Sequence, residues 1–283
     1  MPTSAEVIDS QKKDWNRVAP AWEKWDRLID ENLSFINYRL VGEARIRTGF
    51  EILDLGSGTG YPALLAAEAA GTTGRVTGID LAEEMLDVAR RKAKRLNLSN
   101  IVFQCADIST LAFPDHRFDS VISRFCLMFL PDVPKAVREI YRVLKPGGYL
   151  SAVVWSNPDK NPFLRLATDV IKNYVSIPPP DPNQPGVFRL AKAGELSGML
   201  EESGFTEIVD VEMGGESRYA SAEEYLSNVK EMAAPLQGLF AKLMPGDRDR
   251  AESEIKDSAL KYQRDGMIPI PLVVRVVTGR KPV

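Results

Sequence analysis

The sequence predicts an α/β fold, a mostly parallel sheet covered by helices, and three observations carry that prediction. Short apolar runs alternate with stretches of helical periodicity through residues 50–155, the pattern of strands buried beneath helices. The first apolar run leads straight into a glycine-rich turn, ILDLGSGTG, at residues 52–60. By residue 155 five strand-helix units are complete.

Residues 50–55 form the first strand, and Pro62 stands where the next helix, to about residue 70, begins. Proline is favoured there because the amide it lacks has no helical partner. A second strand spans Arg75–Asp80, and the helix expected at 82–96 carries Glu83 and Glu84 in its first turn and basic residues at 90–95, matching the helix dipole. Strands follow at 101–105, 119–125 and 148–155, the last preceded by a helix at about 133–144 and a KPGG turn at 145–148. Beyond 155 the pattern loosens. IPPPDPNQPG at 177–186 is too proline-rich for regular structure, NPDKNPF at 157–163 reads as a loop, 192–203 as a helix and 206–213 as a strand. Two or three helices are expected in 221–265 before a final strand at 272–279. Ahead of the sheet, Trp15, Trp22 and Trp25 stand at near-helical spacing and suit a helix docked over the sheet edge.

The chain has 283 residues with 36 basic and 39 acidic side chains, net −3, so it presents no basic field for nucleic acid or anionic lipid. A small-molecule partner is expected. Two cysteines, Cys105 and Cys126, without CxxC spacing argue against a zinc site or a disulfide framework. No signal-like segment and no membrane-length apolar window occur, so a cytoplasmic protein without a membrane span is expected. Oligomeric state is left open.

In open α/β sheets ligands bind at the carboxyl ends of strands, where the first strand-to-helix turn lies. Gly56, Ser57, Gly58 and Gly60 are therefore expected to line a site, because bare backbone lets a ligand touch the main chain and its amides. The spacing is G-x-G-x-G with Tyr61 in place of a third dinucleotide-type glycine, which disfavours pyrophosphate. Asp80 closes the second strand about where an acidic residue accepts the hydroxyls of an adenosine ribose. Cys105, Ala106, Asp107 and Ile108 end the third strand with another acid, placed for an adenine amino group or, alternatively, as a helix cap.

Taken in order, ILDLGSGTG, VTGID, CADI, FDSVIS and RVLKPGG resemble the motif series of class I S-adenosylmethionine-dependent methyltransferases, and among them the type 11 methyltransferases, which include the ubiquinone and menaquinone biosynthesis enzymes. The resemblance covers about residues 48–155. It implies a Rossmann-like seven-stranded sheet with an antiparallel last strand, S-adenosyl-L-methionine as cofactor, and a catalytic domain at 48–283 behind a helical cap at 1–47. Cover insertions at about 173–190 and 213–266 would choose the acceptor. Carried over, it gives Asp54 and the Gly56 to Gly60 loop the methionine part of the cofactor, Asp80 the ribose, Leu81 and Met85 the adenine, Asp107 and the Ile108 backbone the adenine amino group. Arg124 and Phe125 would lie under the sulfonium end, and Arg17 and Trp22 would close the site from the N-terminal segment.

A sulfonium methyl is already electrophilic, so positioning and exclusion of water are the main demands on the protein. No general base announces itself: His116 lies in a turn, Asp132 stands where it would cap a helix, and Cys126 suits packing. A nicotinamide-dependent oxidoreductase is disfavoured by the glycine spacing and by Asp107, whereas a cofactor-binding protein without transfer activity stays open. SRFCLMFLPD after the fourth strand lacks the Pro-Pro-aromatic turn expected where a flipped base is held. Aromatic and sulfur side chains in the covers, Phe35, Tyr38, Tyr174, Tyr225 and Met232 among them, suit an apolar, aromatic or quinone-like acceptor, though amphipathic packing uses the same residues.

Overall fold

The apolar runs become parallel strands because nearly all of them are closed off from water along their length. The computed structural model describes residues 3–179, 181 and 184–283. Strands β1 (Glu51–Leu55) and β2 (Arg75–Asp80) are buried almost end to end, while β3 (Ile101–Cys105) at the sheet edge exposes alternate residues. Next come β4 (Phe118–Arg124) and β5 (Leu144–Trp155), which starts just before the expected KPGG turn and runs through it. All five run parallel in the order β3-β2-β1-β4-β5, so the direction of winding reverses between β1 and β4. That switch point opens a crevice at the strand C-termini.

Helices α3 (Ala63–Ala70), α4 (Glu83–Arg95) and α5 (Val133–Val143) supply the crossovers. Upstream, the tryptophan-bearing segment is two helices, α1 (Ser4–Lys24) and α2 (Asp26–Glu43). A reciprocal cap between Thr3 and Glu6 starts the first of them.

The C-terminal part departs from expectation in three places. Helix α6 (Pro162–Ile171) begins inside the segment 157–163 expected as a loop, because the fully buried Asn161 clamps its start: Nδ2 donates to the carbonyls of Ser156 (3.1 Å) and Val273 (2.9 Å), and Oδ1 accepts the Val273 amide (2.9 Å). Helix α7 (Glu195–Glu202) precedes β6 (Thr206–Tyr219), which runs well past residue 213. Its partner β7 (Ile268–Arg280) likewise begins before residue 272 and is antiparallel to both β5 and β6. This pairing carries through Gly214, Gly215, Pro269 and Pro271. Gly215 has a reason to be bare, since a Cβ there would stand 2.3 Å from the Phe35 ring of α2. Between the two strands lie α8 (Ala222–Met232), α9 (Ala234–Ala241) and α10 (Pro245–Leu260). The described residues thus form a seven-stranded sheet, β3-β2-β1-β4-β5-β7-β6, with only β7 reversed. In the proline-rich loop, Pro180, Pro182 and Asn183 lie outside the described residues.

One apolar core follows the sheet. A second gathers α6, α8, α9 and α10 around Tyr225, Phe240 and Ile255. A third, small one joins Val18, Ala19, Ala82, Met85 and Ala234, with Trp15 and Trp22 packed against it, and so presses α1 onto the start of α4. No described helix is long and apolar enough to cross a membrane.

Candidate active site

The glycine turn is pinned by main-chain bonds, the amides of Gly56 and Ser57 both donating to the Ile79 carbonyl at 2.9 and 3.0 Å. Gly56 (φ 73°) and Gly58 (φ 50°) adopt the left-handed region, which side chains disfavour. They are bare for different reasons. A Cβ on Gly56 would come within 2.5 Å of Cys126, whereas on Gly58 it would meet nothing within 4 Å. Gly56 serves packing, and Gly58 faces open space at the crevice.

Behind the turn, Asp54 is fully buried, and neither carboxylate oxygen has a hydrogen-bond partner within 3.5 Å among the described residues. Burial raises its carboxyl to about 7, offset only in part by the nearby Ser57 hydroxyl, the Arg124 charge and the Ala63 amide. An orphaned buried carboxylate calls for a cation, and the α-ammonium of an amino-acid ligand is one. Asp80 accepts from the Gly58 amide with Oδ2 and from the Ala82 amide with Oδ1, both at 2.9 Å. Burial raises its carboxyl and these bonds oppose the rise.

Around the end of β3, Ala106 donates its amide to the Asp80 carbonyl (3.0 Å). Asp107 accepts the amide (2.8 Å) and hydroxyl (2.7 Å) of Ser109, so its carboxylate closes its own turn. Leu81 is half-buried, while Met85 and Ile108 are each 3% exposed and stand behind the rim as walls. Glycine turn, Asp80 and the Asp107 turn thus meet at the ends of adjacent strands β1, β2 and β3.

At the end of β4, Phe125 takes a positive φ of 54°, costly for a bulky side chain. Its ring stacks on Trp155 at 4.0 Å and 5°, and its amide donates to the Val153 carbonyl. Arg124 Nη1 donates to Asn37 Oδ1 at 2.8 Å. Burial lowers the Arg124 guanidinium to about 10, against Asp54, Asp30, Asp26 and Tyr61, which raise it. On the same side Lys92, buried on α4, pairs with Asp26 at 2.5 Å and sits 4.2 Å from the Tyr61 ring centre. No motif marks Asn37, Asp26, Asp30, Tyr61 or Lys92. Asn37 and Lys92 are polar residues at buried helical positions, Asp26 and Asp30 lie half-buried on α2, and Tyr61 stands in the turn ahead of α3.

Helix α1 lies across the rim. Asn16 Oδ1 accepts the Glu84 amide at 3.0 Å, Gln11 Nε2 donates to the Phe129 carbonyl at 2.8 Å, and Trp22 Nε1 donates to the Met232 carbonyl at 3.4 Å. Arg17 is exposed and pairs with Asp14, so it does not enter the cluster. His116 precedes β4, at the end of the sheet away from the glycine turn, where Nδ1 meets the Leu144 carbonyl (3.2 Å) and Lys281 Nζ (3.0 Å). Asp132 caps α5 through the Lys135 amide (2.9 Å). Burial pushes the Cys126 thiol well up, which keeps it protonated.

The chain is similar to known methyltransferases. A methyltransferase-domain family of type 11 matches residues 53–152. A demethylmenaquinone methyltransferase of Listeria monocytogenes is 31% identical over 211 residues, 69% of this chain and 86% of the relative. Among solved structures, phosphoethanolamine N-methyltransferase 2 of Haemonchus contortus superposes with a TM-score of 0.60 at 21% identity, covering 100% of this chain and 61% of that one. The [4+2]-cyclase SpnF matches with a TM-score of 0.54 at 25% identity, covering 88% of this chain and 80% of that one.

Proposed function

Since the chain belongs to the type 11, class I S-adenosylmethionine-dependent methyltransferases, we propose that its acceptor is an aromatic or quinone-like small molecule. The observation that carries this reading is the chain's coverage of 86% of a demethylmenaquinone methyltransferase at 31% identity. The apolar core of α6 and α8 to α10, built around Tyr225 and Phe240, supports an apolar acceptor.

Bound S-adenosyl-L-methionine supplies an electrophilic methyl group on a sulfonium. In our reading, Asp54 takes the ammonium of that cofactor, Gly56, Ser57, Gly58 and Gly60 give its methionine part a bare backbone, and Asp80 takes the ribose hydroxyls. Leu81, Met85, Ala106, Asp107 and Ile108 enclose the adenine. Positioning of the acceptor is worth on the order of 7–11 kcal/mol of the barrier, and α1, lying over the rim, excludes water. We take residues 1–47 as a cap on a catalytic domain at 48–283, with acceptor-choosing covers at 173–190 and 213–266. The net charge of −3 and the lack of a membrane-length helix among the described residues support a cytoplasmic enzyme with no nucleic-acid partner.

The test is incubation with methyl-labelled cofactor and a reduced 2-alkyl-1,4-naphthoquinone lacking a methyl at the neighbouring ring carbon. Label is expected in the quinol. Cofactor binding without label in this acceptor or in a cell extract would favour a non-transferring protein, a reading kept open by the cyclase that shares the fold.

A further inference from the structure

Two polar groups where α2 meets the end of β4, the buried Asn37 and the half-buried Arg124, have donors that the protein leaves unused. Asn37, 2% exposed on α2, has its amide orientation fixed because Oδ1 accepts from Arg124 Nη1 at 2.8 Å, and its Nδ2 has no partner among the described residues. Burying such a donor unpaired is costly, which points to a ligand. Arg124 is bonded through Nη1 alone among the described residues, leaving Nε and Nη2 available. The charged and titratable groups around it are Asp54 on β1, Asp26 and Asp30 on α2, Tyr61 ahead of α3 and Lys92 on α4. Asp26 is engaged by Lys92, and burial raises the Asp30 carboxyl above its ordinary value.

We propose that Arg124 and Asn37 form the seat for the acceptor's ionised oxygen, in a phenolate- or enolate-type anion of a hydroxyarene or quinol that attacks the methyl through this oxygen or the conjugated ring carbon, and that Arg124 serves the acceptor and not the sulfonium end of the cofactor. The proposal rests on the methyltransferase reading and deepens it. Asp54 on β1 takes the cofactor's cation, and the Arg124–Asn37 pair brings a cap helix against the next strand over, β4. A guanidinium beside the oxygen favours its ionised form, which does the work of the general base absent from the sequence. The balance is simple: the acceptor's proton goes to water, the anion's electron pair forms a bond to the methyl carbon, and the carbon–sulfur pair stays on sulfur. An anion and a sulfonium cation give two neutral products without oxidant or reductant.

The probe is 2-hydroxy-1,4-naphthoquinone, an anion at neutral pH whose visible band reports ionisation, titrated with S-adenosylhomocysteine saturating. Wild type should bind the anion and lower the probe's ionisation midpoint. Arg124→Met should weaken probe binding about tenfold or more and abolish the midpoint shift, Arg124→Lys should restore part of both, and affinity for S-adenosylhomocysteine alone should change little. Asn37→Leu, a smaller perturbation, should weaken the probe in the same direction and serves if Arg124→Met does not fold. Equal loss of S-adenosylhomocysteine and probe would make Arg124 a cofactor residue and overturn the proposal. So would unaltered probe binding in folded variants, or failure of wild type to bind the probe while it binds S-adenosylhomocysteine. Failure to bind S-adenosylhomocysteine at all would instead strike the methyltransferase reading.

Discussion

The Asp80 carboxylate holds the Gly58 amide at 2.9 Å, so the acid that ends β2 also fixes the turn that follows β1. Acid and backbone turn are thereby one unit. Asp80→Ala should loosen the turn as well as remove an acceptor of ribose hydroxyls, each charge-assisted bond contributing roughly 1.5–3 kcal/mol. Calorimetry should find S-adenosylmethionine binding weakened about tenfold or more; unchanged affinity would remove Asp80 from the site.

Gly58→Val should fold and fail to bind. Its Cβ meets nothing within 4 Å, so packing is not disturbed, while φ of 50° strains a β-branched residue by an amount on the order of 1–2 kcal/mol. A folded variant that still binds the cofactor would show that the turn does not touch it. Gly56→Ala is the contrasting control, since a Cβ there lies 2.5 Å from Cys126 and should lower the melting temperature.

Asp54 predicts a pH dependence with a definite sign. Burial raises its carboxyl from an ordinary 3.8 to about 7. Between roughly pH 4 and pH 7 the folded chain therefore keeps a proton that the unfolded chain has released, and stability falls as pH rises through that window, then levels off. The loss is a few kcal/mol as an order of magnitude. In ligand-free protein near pH 8, Asp54→Asn should melt higher than wild type and bind cofactor poorly. Wild-type affinity should decline as pH drops below about 7, because the proton competes with the ligand's ammonium. A variant no more stable than wild type at high pH would mean that the carboxylate is compensated.

Arg189 ties the segment after the proline-rich loop to the turn beyond β4, donating to the carbonyls of Leu130 and Pro131. Gly186 adds its amide to the Met128 carbonyl at 3.1 Å. If this segment covers the acceptor, Arg189→Ala should raise the acceptor KM several-fold with cofactor affinity unaltered. An unaltered KM and acceptor preference would leave the segment as scaffolding.

Sequence reading of the sheet worked best where local physics decides. Strands β1, β2, β4 and β5 are nearly continuous apolar runs because both their faces are covered, and their ends were legible to within a few residues. The glycine turn is equally legible, since a left-handed backbone strongly favours glycine. Strands β6 and β7 were cut short in that reading, since Gly214, Gly215, Pro269 and Pro271 argue against strand. Only the ladder between them and the approach of Phe35 make those residues fit.

What the sequence by itself determined is the sheet, the turn and the acids at its strand ends, all set by neighbours a few positions away. Tertiary structure alone decided the other wall of the site. Arg124 meets Asn37 across 87 residues and Lys92 meets Asp26 across 66, because α2 packs beside β4 and α4. Such pairs have no local signature: a buried asparagine or lysine is tolerated only for a partner that the chain supplies from afar, and neither periodicity nor spacing records who that partner is.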